Sequence, residues 1–262
     1  MMKLICCQFD IAWENKPANH DKVRRLLDQA RPSRGSLVIL PEMFATGFSM
    51  NVAVINDSVT HETRDFLSRL AADYGVYVVG GLVETAPDGR GRNECAVFSP
   101  AGDELARYCK MHPFTFGGEA DHYIAGDSVR TFQWHEFTVA PFICYDLRFP
   151  EIFRLAVRQG ANLYIVIANW PAPRIHHWTA LLQARAIENQ AYVAGANRCG
   201  ADPKLSYPGR SSIIDPRGTI LAEAESAEGV IAAEADYQAL VSYRQELPFL
   251  QDMRDDYTER NN

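Results

Sequence analysis

Apolar residues along the chain follow two regimes. Short runs that are apolar nearly throughout recur at residues 3–9, 37–40, 137–143, 162–168 and 191–197. Runs of that length, with no polar face, predict strands buried on both sides in an α/β sheet. Adjacent Cys6 and Cys7 then point to opposite faces. Between these runs the apolar positions take helical spacing. Val23, Leu26, Leu27 and Ala30 mark a helix over 20–30, ended by Pro32 and Gly35. Phe66, Leu67, Leu70, Ala71 and Tyr74 mark one over 61–74, capped by Gly75. Ile152, Leu155 and Ala156 predict a helix over 151–158, and Trp178, Leu181, Leu182, Ala186 and Ile187 one over 177–188.

Residues 76–84 and 93–99 read as a hairpin about Ala86-Pro87-Asp88-Gly89, followed by a strand over 104–109. Short strands are predicted at 211–214, 219–223 and 229–233. A last helix over 235–246 precedes a polar tail. Residues 43–57, 113–130 and 198–210 read as loops, the second long enough to suggest a functional role. No linker or repeat interrupts the pattern, so one domain over 1–262 is predicted. Its class is α/β (α+β), with mixed sheets and helices packed outside.

Composition narrows the choice of function. Of 262 residues, 47% are hydrophobic, enough for a large core. The net charge of −7, with no basic run, argues against a nucleic-acid surface. No apolar run reaches the length of a membrane span. The start of the chain lacks the apolar stretch and cleavage site of a secretory leader. Six cysteines without a C-x-x-C pair read as reduced thiols, and the expected setting is cytoplasmic.

Three predicted strands end on reactive residue types. The run 37–40 stops at Pro41-Glu42, the strand 104–109 at Lys110-Met111-His112, and the run 137–143 at Cys144-Tyr145-Asp146-Leu147-Arg148. Carboxyl ends of strands are where α/β sheets present ligand-binding and reactive groups. A thiol can attack a carbonyl or nitrile carbon. A carboxylate can remove the thiol proton, protonate the leaving amine and then activate water. An ammonium can stabilise the oxyanion, helped by the backbone N–H beside the nucleophile. Each residue type alone is common; only their meeting in space would make them a site.

Other candidates are weighed beside these. His112 as a base for the thiol is the lesser reading. Adjacent His176 and His177 do not face one point, so no metal is expected. Phe44 and Trp170 suit core or pocket wall. Arg148 reads first as an ion-pair partner of Asp146 or Glu151; Arg174, past a strand end, is the better candidate for a substrate carboxylate.

Taken together, Pro41-Glu42, Lys110-x-His112 and Cys144-Tyr145-Asp146-x-Arg148-Phe149 resemble the three signatures of the carbon–nitrogen hydrolases of the nitrilase superfamily, over nearly the whole chain. Residues 110–114, 118–123 and 169–174, with 182–190, resemble its ω-amidase branch. The resemblance implies a four-layer α-β-β-α sandwich of two mixed sheets that dimerises or assembles further. It assigns Glu42 as base, Lys110 as oxyanion stabiliser and Cys144 as nucleophile. Glu119 matches a second glutamate that holds the lysine and the substrate nitrogen in position. The N–H of Tyr145 completes the oxyanion hole, and Phe44, Phe114, Trp170 and Arg174 line the substrate. No cofactor is implied. The expected partners are a small amide substrate, such as 2-oxoglutaramate or 2-oxosuccinamate, and water. Nitriles, aliphatic amides, N-carbamoyl amino acids and a non-catalytic binding role stay open.

Overall fold

The computed structural model describes residues 2–254. The polar tail predicted beyond the last helix falls mostly on 255–262, outside the described residues. Strands β1 (Met2–Gln8), β2 (Leu37–Ile39), β3 (Tyr77–Thr85), β4 (Gly91–Phe98) and β5 (Glu104–Cys109) lie side by side in chain order. β1, β2 and β3 run parallel; β4 and β5 return antiparallel. The second sheet places β6 (Phe132–Trp134), β7 (Phe137–Ile143), β8 (Leu163–Ala168) and β9 (Tyr192–Asn197) in order. β10 (Cys199–Ala201) and β11 (Ser206–Pro208) form a separate hairpin. β12 (Ser212–Ile214) and β13 (Ile220–Glu223) then extend the second sheet beyond β9, and β14 (Gly229–Ala235) crosses back to pair with β1.

Strand alternation sorts side chains between layers. Leu4, Cys6, Leu37, Ile39, Cys95 and Val97 face the second sheet, in one core with Val139, Ile143, Ile165 and Val193. Ile5, Cys7, Val38, Leu40, Ala96 and Phe98 face outward. There they meet α1 (Lys16–Ala30), through Val23 and Leu27, and α3 (Glu62–Tyr74), through Phe66, Leu67 and Leu70. The short α2 (Val52–Ile55) and α4 (Glu119–His122) lie in loops. α5 (Pro150–Arg158) and α6 (Ile175–Asn189) cover the other sheet, and α7 (Tyr237–Glu246) closes the described chain with a 3-10 turn. The layers are therefore α-β-β-α, with both sheets mixed.

The differences from the sequence reading are local. α1 begins at Lys16, four residues early, because Asn15 caps it by accepting from the N–H of Ala18 (3.2 Å) and Pro17 suits the first turn. β6 is only three residues long, too short for its pattern to show. The loops hold α2, α4 and the β10–β11 hairpin, again in pieces of three or four residues.

Asp57 joins the starts of two outer helices. One oxygen accepts from Lys16 Nζ and from the N–H of Thr63, each at 2.9 Å; the other accepts from the N–H of Arg64 at 2.9 Å. Burial acts to raise its carboxyl, but the two backbone donors and then Lys16 outweigh it and hold it below the usual range. A depressed carboxyl stabilises the fold above its unfolded value of about 4, and that contribution fades as pH falls through the folded value. Asp57→Asn keeps one oxygen acceptor but loses the charge, so it should cost about 1 kcal/mol at pH 7, the difference between a charge-assisted and a neutral hydrogen bond. Urea melts at pH 7 and pH 3 check this, with the gap to the parent narrowing at pH 3.

Candidate active site

Four strand ends converge. Glu42 follows β2, Lys110 follows β5, Cys144 follows β7 and Asn169 follows β8. Gly81 on β3 makes room for the first: a Cβ there would stand 2.4 Å from the nitrogen of Met43 and 2.8 Å from the Cα of Glu42. The chain after β2 can cross β3 so closely only over a residue without a side chain. Cys144 has φ +48°, a left-handed conformation rare for a non-glycine residue. The strand thus ends abruptly and enters a 3-10 turn, Cys144–Arg148. Such strain persists where surrounding contacts over-determine it. The turn also leaves the N–H groups of its first residues, Tyr145 among them, without partners inside it.

The charged groups are fully buried. Lys110 Nζ donates to Glu42 Oε1 (3.0 Å) and to Glu119 Oε1 and Oε2 (3.1 and 2.8 Å). Glu42 Oε2 accepts from the backbone N–H of Asn169 at 2.8 Å, and Asn169 Nδ2 donates to the carbonyl of Glu42 at 2.7 Å. Asn93 Nδ2 donates to Glu42 Oε1 (2.8 Å) and Glu119 Oε1 (2.9 Å). Glu119 also accepts from the N–H of Phe114, tying the pocket wall to the charge cluster.

The charges explain the protonation states. Burial acts to lower the Lys110 ammonium, but Glu119 and then Glu42 outweigh it, so its pKa lies well above the usual value. Cys144 is half-buried and lines a cleft. Burial, then the charge of Glu42, raises its thiol well above the ordinary range, against the pull of Lys110. Two carboxylates and one ammonium leave the cluster one negative charge in excess. A thiol raised in this way favours its protonated form, so the proton has to be taken from sulfur as it attacks.

A brace links the turn to β5. Asp146 is buried and accepts from Tyr108 Oη (2.8 Å), the N–H of His112 (3.0 Å), and the N–H of Ile143 (3.1 Å); its Oδ1 also lies 2.9 Å from His112 Nδ1. Tyr108 and His112 flank Lys110; Ile143 and Asp146 flank Cys144. His112 also stacks on Phe149, with ring centroids 3.8 Å apart. His112 thus serves the brace, and the lesser reading of it as the thiol's base is corrected. Asp146 is already taken, so Arg148 does not pair with it as the sequence suggested. Arg148 lies over the Trp170 ring (4.8 Å) and hydrogen-bonds His177 Nδ1 (3.1 Å).

A cleft of about 410 Å³, counting its open mouth, lies above Cys144. Phe48, Phe114, Tyr145, Arg148, Trp170 and Arg174 line it, with Asn169, Pro171, Leu205 and Tyr207. Of the four expected lining residues Phe114, Trp170 and Arg174 are there, together with Tyr145 of the expected oxyanion hole. Phe44 is not: it is buried in the outer core beside Phe66 and His20 and packs over Gly80. The wall comes from Phe48, one turn of loop further on. Asn93, Asn169, Leu205 and Tyr207 were not singled out from sequence. Asn93 lies within a strand and Asn169 just after one; an amide directly after an apolar run was the available signal. Among the described residues no group of three or more His, Cys, Asp or Glu side chains is placed to hold a metal ion, and no helix is long and apolar enough to cross a membrane.

A buried carboxylate, ammonium and thiol at adjoining strand ends of a four-layer sandwich define a class: thiol-dependent hydrolases of carbon–nitrogen bonds. The chain belongs to the carbon–nitrogen hydrolase family, whose model matches residues 3–245. It is similar to a 2-oxoglutaramate amidase of Bacillus subtilis, 34% identical over 96% of this chain and 97% of that one. It is also similar to an omega-amidase of Yersinia enterocolitica, 38% identical over 96% of each chain. A solved structure of a CN-hydrolase superfamily protein from Xanthomonas campestris aligns with a TM-score of 0.90 at 31% identity, covering 97% of both chains.

Proposed function

We propose that the enzyme hydrolyses the ω-amide of short dicarboxylic monoamides such as 2-oxoglutaramate or 2-oxosuccinamate, giving the diacid and ammonia. One observation carries this reading: the cleft is electrically polar along its length. The excess negative charge lies at its floor, while Arg148 and Arg174 line the cleft, held by rings rather than carboxylates. Arg174 lies over Phe114 (5.3 Å), and Arg148 over Trp170 and against His177. Desolvation, then His176, Arg148 and Arg174, lowers His177, so that partner is neutral at pH 7. A neutral amide head and an anionic tail fit this field in one direction only.

In this reading Glu42 takes the Sγ proton as sulfur bonds to the amide carbon. Lys110 and the N–H of Tyr145 hold the oxyanion. Collapse breaks the C–N bond, and Glu42 passes its proton to the nitrogen, which leaves as ammonia. Glu42 then takes a proton from water as its oxygen attacks the thioester. Collapse of that second intermediate releases the acid, and the proton returns to sulfur. Glu119 holds Lys110 and carries Phe114. The reading takes residues 1–262 as one domain, supported by the core the two sheets share. All six cysteines are free thiols, which fits a reducing, cytoplasmic setting. Assembly into a dimer belongs to the same proposal, and light scattering tests it.

Ammonia release across short ω-amides, nitriles and ureido acids tests the substrate. The monoamide acids should lead, and a preference for nitriles or N-carbamoyl amino acids would overturn this choice. Removing the distal carboxylate from the substrate should cost roughly 2–5 kcal/mol in kcat/KM. Arg174→Ala should lower kcat/KM for the acid by about tenfold or more, roughly 1.4 kcal/mol per decade. The uncharged analogue should be little affected; equal losses on both would refute the contact.

A further inference from the structure

We propose that Asn93 is the positioning residue that keeps the two site carboxylates apart and Lys110 available, a role that rests on the reading of Glu42 as base. Its side chain has two N–H groups, and each goes to a different carboxylate, Glu42 Oε1 at 2.8 Å and Glu119 Oε1 at 2.9 Å. Lys110 Nζ approaches the same two oxygens, at 3.0 and 3.1 Å. Ammonium and amide therefore divide the task of separating two buried like charges. The main chain of Asn93 takes part as well, its carbonyl accepting from the N–H of Lys110 at 2.9 Å. One residue of β4 thus touches all three ionic members of the site.

The other end of the side chain shows what sets its orientation. Asn93 Oδ1 is buried and has no hydrogen-bond partner. A buried acceptor left unpaired is unfavourable. The amide could turn over only by aiming that oxygen at two carboxylates, which is worse. The carboxylates therefore dictate its orientation, as they would for a residue whose task is to serve them.

The consequence reaches the chemistry through Lys110. An ammonium has three protons. Here Glu42 Oε1 and both oxygens of Glu119 draw on them, and the Glu119 Oε1 contact, which Asn93 duplicates, is the one that can yield to the substrate oxygen. Without the amide, Lys110 alone would hold the two carboxylates together, and their repulsion would draw a proton into the pair. A protonated Glu42 cannot accept the proton of Cys144.

Two variants and one spectrum test this. Asn93→Ser keeps the main-chain contact and loses the bridge. Its kcat should fall by about tenfold to a hundredfold, the scale for a partner that orients a reacting group, with KM changed by less than about threefold. Asn93→Asp replaces the donor by a third carboxylate and forces a proton into the cluster, so its pH–rate profile should shift by about one unit or more. A merely structural residue would lower the profile without moving its limbs. In the parent enzyme, the two Asn93 side-chain amide protons should also respond separately by NMR, one to Glu42→Gln and the other to Glu119→Gln. Parent-like kcat and limbs in folded variants, or amide protons indifferent to both glutamates, would overturn the proposal. Glu42→Gln separates the two readings. If it stays active, the base assignment falls; if it is dead while Asn93→Asp keeps the parent profile, only the role of Asn93 falls.

Discussion

Cys144→Ala should abolish ammonia release, with a loss on the order of a millionfold in kcat, the scale seen when a nucleophile is removed from a catalytic set. Every bond change in the proposed cycle passes through this sulfur. The fold should survive, because Ala tolerates the φ of +48° no worse than Cys does and the Asp146 brace uses neighbouring residues. Melting within a few degrees of the parent checks that. Cys144→Ser should be nearly as inactive, since Glu42 is matched to a thiol and a hydroxyl is far harder to deprotonate. Trapping with radiolabelled substrate should show an acyl-enzyme in the parent and none in the Ala variant. Measurable turnover by a folded Cys144→Ala protein would remove the residue from its role.

Glu42→Gln should separate two properties that usually fall together. Hydrolysis should drop by roughly a thousandfold or more, because both proton transfers lose their base. The thiol itself should become easier to ionise. After burial, the charge of Glu42 is the next cause of its raised pKa, and the variant removes that charge while keeping Lys110. The sign follows directly: a raised thiol pKa suppresses thiolate below it, so lowering it brings thiolate to lower pH. Iodoacetamide should therefore alkylate Cys144 in the variant with its pH midpoint moved toward acid, although turnover is lost. A midpoint unmoved or shifted toward alkali would show that Glu42 does not face the sulfur. Hydrolysis at near-parent rates would remove it as base.

The layers and the reactive strand ends were legible because they rest on long, regular signals. Runs such as 137–143 and 162–168 have no polar face, and in a parallel strand that means cover on both sides. Where such a run stops, a polar or reactive residue meets whatever occupies the sheet's end, which is why Glu42 and Cys144 stood out; Lys110 stood out only as the end of the mixed strand 104–109. The supporting residues left no such mark. Asn93 sits inside a strand, and nothing in its spacing announces that its amide lies between two carboxylates from elsewhere. Arg148 looked like the partner of Asp146 because they are two residues apart. Tyr108 and His112, from across the sheets, already saturate that carboxylate. Phe44 and Phe48 are chemically alike and four residues apart, and only the path of the loop over β3 decides which is core. Elements of three residues, such as β6 and the β10–β11 pair, are too short for periodicity to register.

That last hairpin has a bearing on how the cleft can be altered. It brings Leu205 and Tyr207 to the cleft, yet the ionic cluster and Cys144 stand on other strands. Its base is pinned by buried Arg198, which donates to Asp10 Oδ1 at 2.7 Å and to the carbonyl of Ala201 at 2.8 Å, and lies over the Tyr207 ring. Two residues of the cleft wall thus stand on a different piece of chain from Glu42, Lys110 and Cys144. Substitutions at Leu205 or Tyr207 should therefore reshape that wall without moving the strands that carry the ionic cluster.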